Sequence, residues 1–283
     1  MQQKLKGEIT MLRSMYSGIS GMKNFQTKLD VIGNNIANVN TFGFKKGRAT
    51  FKDALNQTVS SASAAGNVTG GKNAIQVGLG STLATVDTVH TNSSLQTTGR
   101  TLDLGIEGDG YFVLGDIDGE SLKYTRAGNF YLDQNGYLVN EDGLYVMSGS
   151  TDTIEGPIQV IDPDADDISS FSISSTGEIN IVDSSGVPTS AGTIALATFS
   201  NSSGLSKVGN NTYEASSNSG DPKFGVVGDP GKGNIASGFL EMSNVDLSEE
   251  FTEMIVAQRG FQANTRIITT SDEILQELVN LKR

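Results

Sequence analysis

With 283 residues, no cysteine and a formal net charge of −12, the chain has room for one or two domains but none for a disulfide, a thiolate nucleophile or a cysteine-ligated metal. The acidic excess argues against binding a phosphate backbone or docking on an anionic leaflet. No apolar run nears the roughly 18 residues that span a bilayer, so no nucleic-acid partner and no membrane insertion are expected.

In chain order, residues 1–10 read as an extension ahead of Met11. The N-terminal stretch has basic residues but no uninterrupted apolar core and no Ala-x-Ala site, so no cleaved secretory signal is expected. From there Leu12, Met15, Ile19, Met22, Phe25, Leu29, Ile32, Ile36 and Val39 recur in steps of three or four. That rhythm predicts one long amphipathic helix over 11–42. Its end is odd: Asn34, Asn35, Asn38 and Asn40 crowd together before Thr41, Phe42, Gly43 and Phe44. Asn is a poor helix-interior residue, but it closes helices in the left-handed conformation and bonds nearby backbone. The asparagines are therefore expected to satisfy helix-end carbonyls, Gly43 to turn the chain, and the two Phe to pin it.

Residues 43–100 are Ser-, Gly- and Asn-rich with weak periodicity and read as an extended connector. Residues 101–200 read as a central all-β domain. Hairpin signals stand at Asn135-Gly136, Asp142-Gly143 and Thr176-Gly177, and GYFVL and TIALATF have buried-strand character. Residues 201–242 read as a return connector. At 243–283 a second helix is predicted, with Ser243, Asn244 or Asp246 as cap and Glu249 and Glu250 in the first turn. There Leu247, Met254, Phe261, Ile268 and Leu275 recur every seven residues, flanked by Phe251 and Leu278. The fold class expected is α+β: terminal helices forming a coiled-coil-like domain, an extended connector domain, and a central all-β domain. Each end helix carries apolar residues beyond one seam, so both are expected to serve self-assembly. The termini are therefore expected to be mostly disordered in the monomer and helical in the polymer.

Catalytic chemistry finds no anchor. The sole histidine, His90, is read as an isolated surface or strand residue. The acidic run 162–167 lacks the Gly and the Glu of a calcium loop. GVVGDPGKG misses two positions of a phosphate loop. No catalytic, metal or cofactor residue is assigned, and no enzyme is expected.

The run LDVIGNNIANVNTFGFKKGRATFKD resembles the signature of the bacterial flagellar axial proteins, the rod, hook and hook-associated subunits. GDGYFVL and YTRAGNFYLDQNGYLV are similar to hook and distal-rod β-domain motifs, and the C-terminal run from Ser243 resembles the family's terminal helix. The resemblance covers residues 11–283. It implies a structural subunit, a homopolymer exported through the flagellar type III apparatus and located in the flagellum. It also implies rod and hook-associated junction proteins and the hook cap as partners. MIVAQRGFQANTRIITTSDEILQEL is more like a compact Gram-positive hook protein than a distal rod protein, so hook is the first expectation and distal rod the second. A secreted β-rich adhesin or binding module is the rival of another class.

Overall fold

The computed structural model describes residues 2–65, 70–117, 119, 121–150, 153–161, 168–183, 187–229 and 231–280, with the side chains of 2–12, 168–169, 183 and 278 outside the description. It is an α+β chain: a long helix, a middle built of strands, and a second long helix. Two compact units divide it. One gathers Met1–Ala37, Gly47–Thr88 and Asp246–Arg283; the other gathers Asn38–Lys46 and Val89–Val245.

In the first unit, helix α1 (Gln2–Ala37) and helix α2 (Leu247–Asn280) run antiparallel. Gly18 lies against Ile268, Gly21 against Asn264 and Phe25 against Gly260, while Lys28 Nζ meets Glu253 Oε2 at 3.0 Å. A Cβ on Gly260 would fall 2.4 Å from Phe25 Cζ, so the missing side chain is what lets that ring seat. Of the three candidate caps, Asp246 is the one used: its Oδ1 accepts from Ser248 N at 2.8 Å and from Glu249 N at 3.4 Å. Helix α1 already begins at Gln2, so 2–10 are helical rather than a separate lead-in. It stops at Ala37, leaving Val39 in the following turn.

The stretch read as a connector is built of paired strands. Gly47–Asp53 pairs antiparallel with Ser81–Thr88, and Asn56–Ser60 with Ile75–Gly78. Ala54 N bonds Gly80 O and Leu79 N bonds Leu55 O, so the two pairings run on as one ribbon. The first pair belongs with the helices, where Asn24 Nδ2 reaches Ser81 Oγ at 2.7 Å.

The second unit holds a ten-stranded sheet and a three-stranded meander of Ile168–Ile173, Glu178–Asp183 and Pro188–Thr193. Strand Tyr111–Gly115 is its spine. It pairs with Lys123–Thr125 on one edge, and with Tyr145–Ser150 and Leu196–Thr198 on the other. All five of its residues are buried. Alternation sends Phe112 and Leu114 into one core with Ile106, Phe130, Leu138 and Val146, and sends Tyr111 and Val113 into another with Tyr124, Met147 and Tyr213. The return segment also folds into this unit rather than forming a layer of its own. Ser206–Gly209, Thr212–Glu214 and Lys223–Gly225 extend the sheet, Asn234–Ser237 pairs with Leu104–Glu107, and Phe239–Glu241 pairs with Leu95–Thr97. The acidic run 162–167 lies outside the described residues.

All three expected hairpins share one turn. Gly136 N bonds Asp133 O, Gly143 N bonds Asn140 O and Gly177 N bonds Ser174 O. The bond back across the strands runs from Asp133 N to Tyr137 O, from Asn140 N to Leu144 O and from Ser174 N to Glu178 O. Each glycine has φ between 74° and 79°, the bulge position of a three-residue loop. Gly136 and Gly143 differ only in surroundings. A Cβ on Gly136 would sit 1.8 Å from Ile161 O, whereas one on Gly143 meets nothing within 4 Å. We expect Gly143→Ala to cost about 1–2 kcal/mol, the left-handed strain alone. Gly136→Ala should cost at least about 3 kcal/mol, because backbone must move as well. Urea unfolding of the two variants side by side measures the difference.

Candidate assembly site

The expected helix stripes split by exposure. On α1, Ile32 is buried; Met15, Met22, Phe25, Leu29 and Ile36 are half-buried; Ile19 is exposed. On α2, Met254, Phe261, Ile268 and Leu275 are half-buried, while Leu247 and Phe251 are exposed. Val39 is half-buried in its turn. The side chains of Leu12 and Leu278 lie outside the described residues. The seven-residue series thus marks the side of α2 that faces α1. Beyond it, Tyr16 on α1 and Ile255, Val256, Ile267, Ile274 and Val279 on α2 remain 44–66% exposed. The ribbon tip adds Leu55, Val59 and Ile75 at 59–80% exposure. Apolar side chains exposed in that number on one unit make it the candidate interaction surface.

The asparagine-rich stretch does something other than expected. Among the described residues, only Asn210 and Asn211 combine a side chain with positive φ, so none of Asn34, Asn35, Asn38 or Asn40 closes the helix in the left-handed conformation. Gly43 does the turning, at φ 68°; a Cβ there would lie 2.6 Å from Ala127 N. Asn35 is 2% exposed within the first unit. Its Oδ1 accepts from Gly47 N and its Nδ2 donates to Gly47 O, both at 2.9 Å, and Nδ2 also reaches Glu250 Oε2 at 3.2 Å. The side-chain amide thereby acts as a short stretch of neighbouring strand, fixing where the ribbon leaves the helix. Asn38 Oδ1 accepts from Thr41 Oγ1 at 3.1 Å and Asn38 O from Thr41 N, shaping the turn itself. Asn40 is exposed. Phe42 is half-buried and its carbonyl accepts from Asn211 Nδ2; Phe44 is buried, with Lys207 Nζ 5.0 Å above its ring.

Next to these residues in the second unit is a cluster that sequence reasoning missed. Lys45, Glu241 and Arg126 are 1%, 0% and 4% exposed. Lys45 Nζ meets Glu241 Oε1 at 2.6 Å and Arg126 Nη1 meets Glu241 Oε2 at 3.1 Å. Lys45 also donates to Thr91 O at 2.8 Å, and Arg126 Nη2 to Gly108 O at 2.9 Å. Burial pushes the Lys45 ammonium below its ordinary range, against the opposing pull of Glu241. Glu241 further accepts from Ser93 N, and its own carbonyl accepts from Gly43 N at 2.8 Å. One glutamate therefore anchors the turn after α1, the loop at 91–93 and the strand that leads back toward α2. Lys45 and Arg126 stand inside motifs visible in the sequence, but Glu241 carries no local signal.

Other candidates resolve as structure. Lys232, the lysine of the imperfect phosphate loop, spends its ammonium on Phe224 O at 2.7 Å and Asp229 at 3.4 Å. His90 is half-buried rather than on the surface, with Nδ1 2.7 Å from Tyr111 Oη. A polar cleft of about 480 Å³ is lined by Asn38, Asn40, Thr41, Asn129, Asn211 and neighbours; Asn129 there already donates to the Glu141 carboxylate and Asn211 to the Phe42 carbonyl.

Comparison with known proteins agrees with this layout. The family model "Flagella basal body rod protein" matches residues 15–45, "Flagellar hook protein FlgE/F/G D1 domain" matches 105–181, and "Flagellar basal body rod FlgEFG protein C-terminal" matches 236–281. The chain is 61% identical over 274 residues to the flagellar basal-body rod protein FlgG of Bacillus subtilis, covering 96% of this chain and 100% of that one. It is 37% identical over 279 residues to the FlgG of Borreliella burgdorferi, with the same coverage. To the flagellar hook protein FlgE of that organism it is 31% identical, over an alignment of 443 residues that spans 96% of this chain and 100% of that one.

Removing the shared carboxylate should expose its importance. Glu241→Gln leaves two buried cations without a counter-charge and should cost about 3–5 kcal/mol. Pairing it with Lys45→Met should restore part of that loss. Denaturant midpoints of the single and double variants check both signs.

Proposed function

The chain belongs to the flagellar basal-body rod and hook protein family, and from that premise we propose that it is a distal-rod subunit which polymerises through its terminal helices. Its relatives are structural components of the flagellar axis, not enzymes. The comparisons favour the rod alternative over the hook reading. Identity to a rod protein is twice that to a hook protein, and the hook alignment is longer than the 283-residue chain itself. The hook-like wording of the C-terminal helix is a feature common to the family and does not separate its members.

The observation that carries the assembly reading is the leftover apolar surface. The helices cover one side of each other and leave Tyr16, Ile19, Phe251, Ile255, Ile267 and Ile274 open. Burying a large apolar side chain fully is worth roughly 1.5–3 kcal/mol, so a few such contacts per neighbour suffice for a cooperative polymer. The coiled-coil-like arrangement belongs to the polymer on this reading, with α1 and α2 meeting copies of themselves through the open residues outside the seven-residue series. The ribbon tip offers Leu55, Val59 and Ile75 to a neighbouring copy. A bare two-stranded hairpin is marginal alone, and a partner would stabilise it. Junction subunits at either end of the rod, the hook cap and the type III export apparatus are the further partners proposed.

Purified full-length chain, concentrated and viewed by electron microscopy, tests this. Straight tubes are expected, with a gain of helical circular dichroism on polymerisation. Curved tubes would return the assignment to hook, and a monomer at every concentration would refute assembly. Phe251→Ser combined with Ile255→Ser should raise the critical concentration at least tenfold while leaving the monomer's unfolding midpoint unchanged.

A further inference from the structure

We propose that His90 is an acid-sensitive latch: its ring, seated between Tyr111 and Tyr213, holds the loop at 89–93 against the sheet of the second unit. The loop makes an unusual number of attachments for its length. Val89 N bonds Lys46 O, and Lys45 Nζ bonds Thr91 O. Asn244 Nδ2 bonds Val89 O and Thr91 Oγ1 at 2.8 and 2.9 Å, while Ser93 Oγ bonds Ser243 O at 2.9 Å. Residues 45–46 lie within the family signature, and 241–244 lead into α2. His90 sits between Val89 and Thr91 in this loop, so displacing its ring acts on the segment that carries both anchorages.

The ring sits between Tyr111 and Tyr213, with centroids 5.9 and 5.6 Å away. Nδ1 is matched by the Tyr111 hydroxyl, but Nε2 is shielded and meets no partner among the described residues. Three cations from three separate elements act on the ring: Lys45 on the turn after α1, Arg126 after strand Lys123–Thr125, and Lys207 on strand Ser206–Gly209. The carboxylate of Glu241 is near but already holds Lys45 and Arg126, and Asp109 acts on Tyr111. Tyr213 is driven away from ionisation by its burial, so it offers no negative charge. A protonated ring would place a fourth cation here, with an Nε2 proton facing no protein acceptor.

Burial first, and then Lys45, Lys207 and Arg126, bring the imidazole down to about 4. The unfolded chain takes up the same proton near 6.5. The folded state therefore keeps the full contribution of the neutral ring above about pH 6.5 and loses it as pH falls toward 4. Within that window each pH unit lowers the folded-to-unfolded ratio by up to tenfold through this group.

Since His90 is the sole histidine, its ring protons give one unambiguous NMR titration in the full-length chain held below its polymerising concentration. A folded-state midpoint near 4, moving to about 6.5 in urea, is expected; a folded midpoint at 6 or above overturns the latch. His90→Gln retains a polar group without the titration. Between pH 6.5 and 4.5 its folded-to-unfolded ratio should fall at least tenfold less than that of the wild type, and parallel pH curves would overturn the proposal. Should His90→Gln fail to fold, the NMR midpoint alone decides.

Discussion

The second unit is closed by one buried carboxylate. Glu241 lies 196 residues after Lys45, and joining two points that far apart costs about 5 kcal/mol of loop entropy. The Lys45 and Arg126 pairs do not repay that alone, since burying three charges is itself expensive. They act instead on a closure that the paired strands already favour. Phe239–Glu241 pairs with Leu95–Thr97 and Asn234–Ser237 with Leu104–Glu107. Given that pairing, Glu241 decides where the turn at Gly43 seats, because its carbonyl takes the Gly43 amide while its carboxylate takes Lys45. Side chain and backbone of one residue thereby set the start and the finish of the unit in register.

Much of this was legible in the residues, for reasons that differ by element. The two helices announce themselves because a 3.6-residue period repeated over more than thirty residues has no other reading. The three hairpins announce themselves because glycine alone sits easily at φ near 75°. Asp246 could be foreseen as one of three caps, but the choice among them rests on where the helix axis starts. The strands between 206 and 241 could not be foreseen. They are only three or four residues long, too short to show an alternation of their own, and they owe their pairing to the strands they join. The ion cluster was illegible for a related cause: its members come from three distant segments, and nothing near Glu241 in sequence marks it as buried.

The asparagine-rich signature shows how a pattern can be found and its role misjudged. Asn is disfavoured inside helices because its amide competes for backbone, and that tendency is what the structure uses. The amide of Asn35 does not serve the carbonyls of its own helix. It pairs with both backbone groups of Gly47, twelve residues on, in a geometry that only a planar donor–acceptor group of that length provides. A helix-capping role predicts left-handed asparagines, and among the described residues those appear at Asn210 and Asn211, in a tight strand-to-strand turn. The same residue type therefore serves two different ends, and the local sequence does not distinguish them.

Charge and apolar surface pull in opposite directions when copies meet. A chain carrying −12 repels its own kind, which restrains association while it is dilute. At physiological ionic strength that repulsion fades beyond roughly 8 Å, whereas apolar burial acts at contact and is indifferent to salt at that level. On the assembly reading proposed above, the open side chains of α1 and α2 would govern close packing, and the charge would govern the approach to it. Such a balance favours growth at an existing end, where one arriving chain buries its stripe against several neighbours at once. Free pairing in solution offers each chain only one neighbour for the same electrostatic cost.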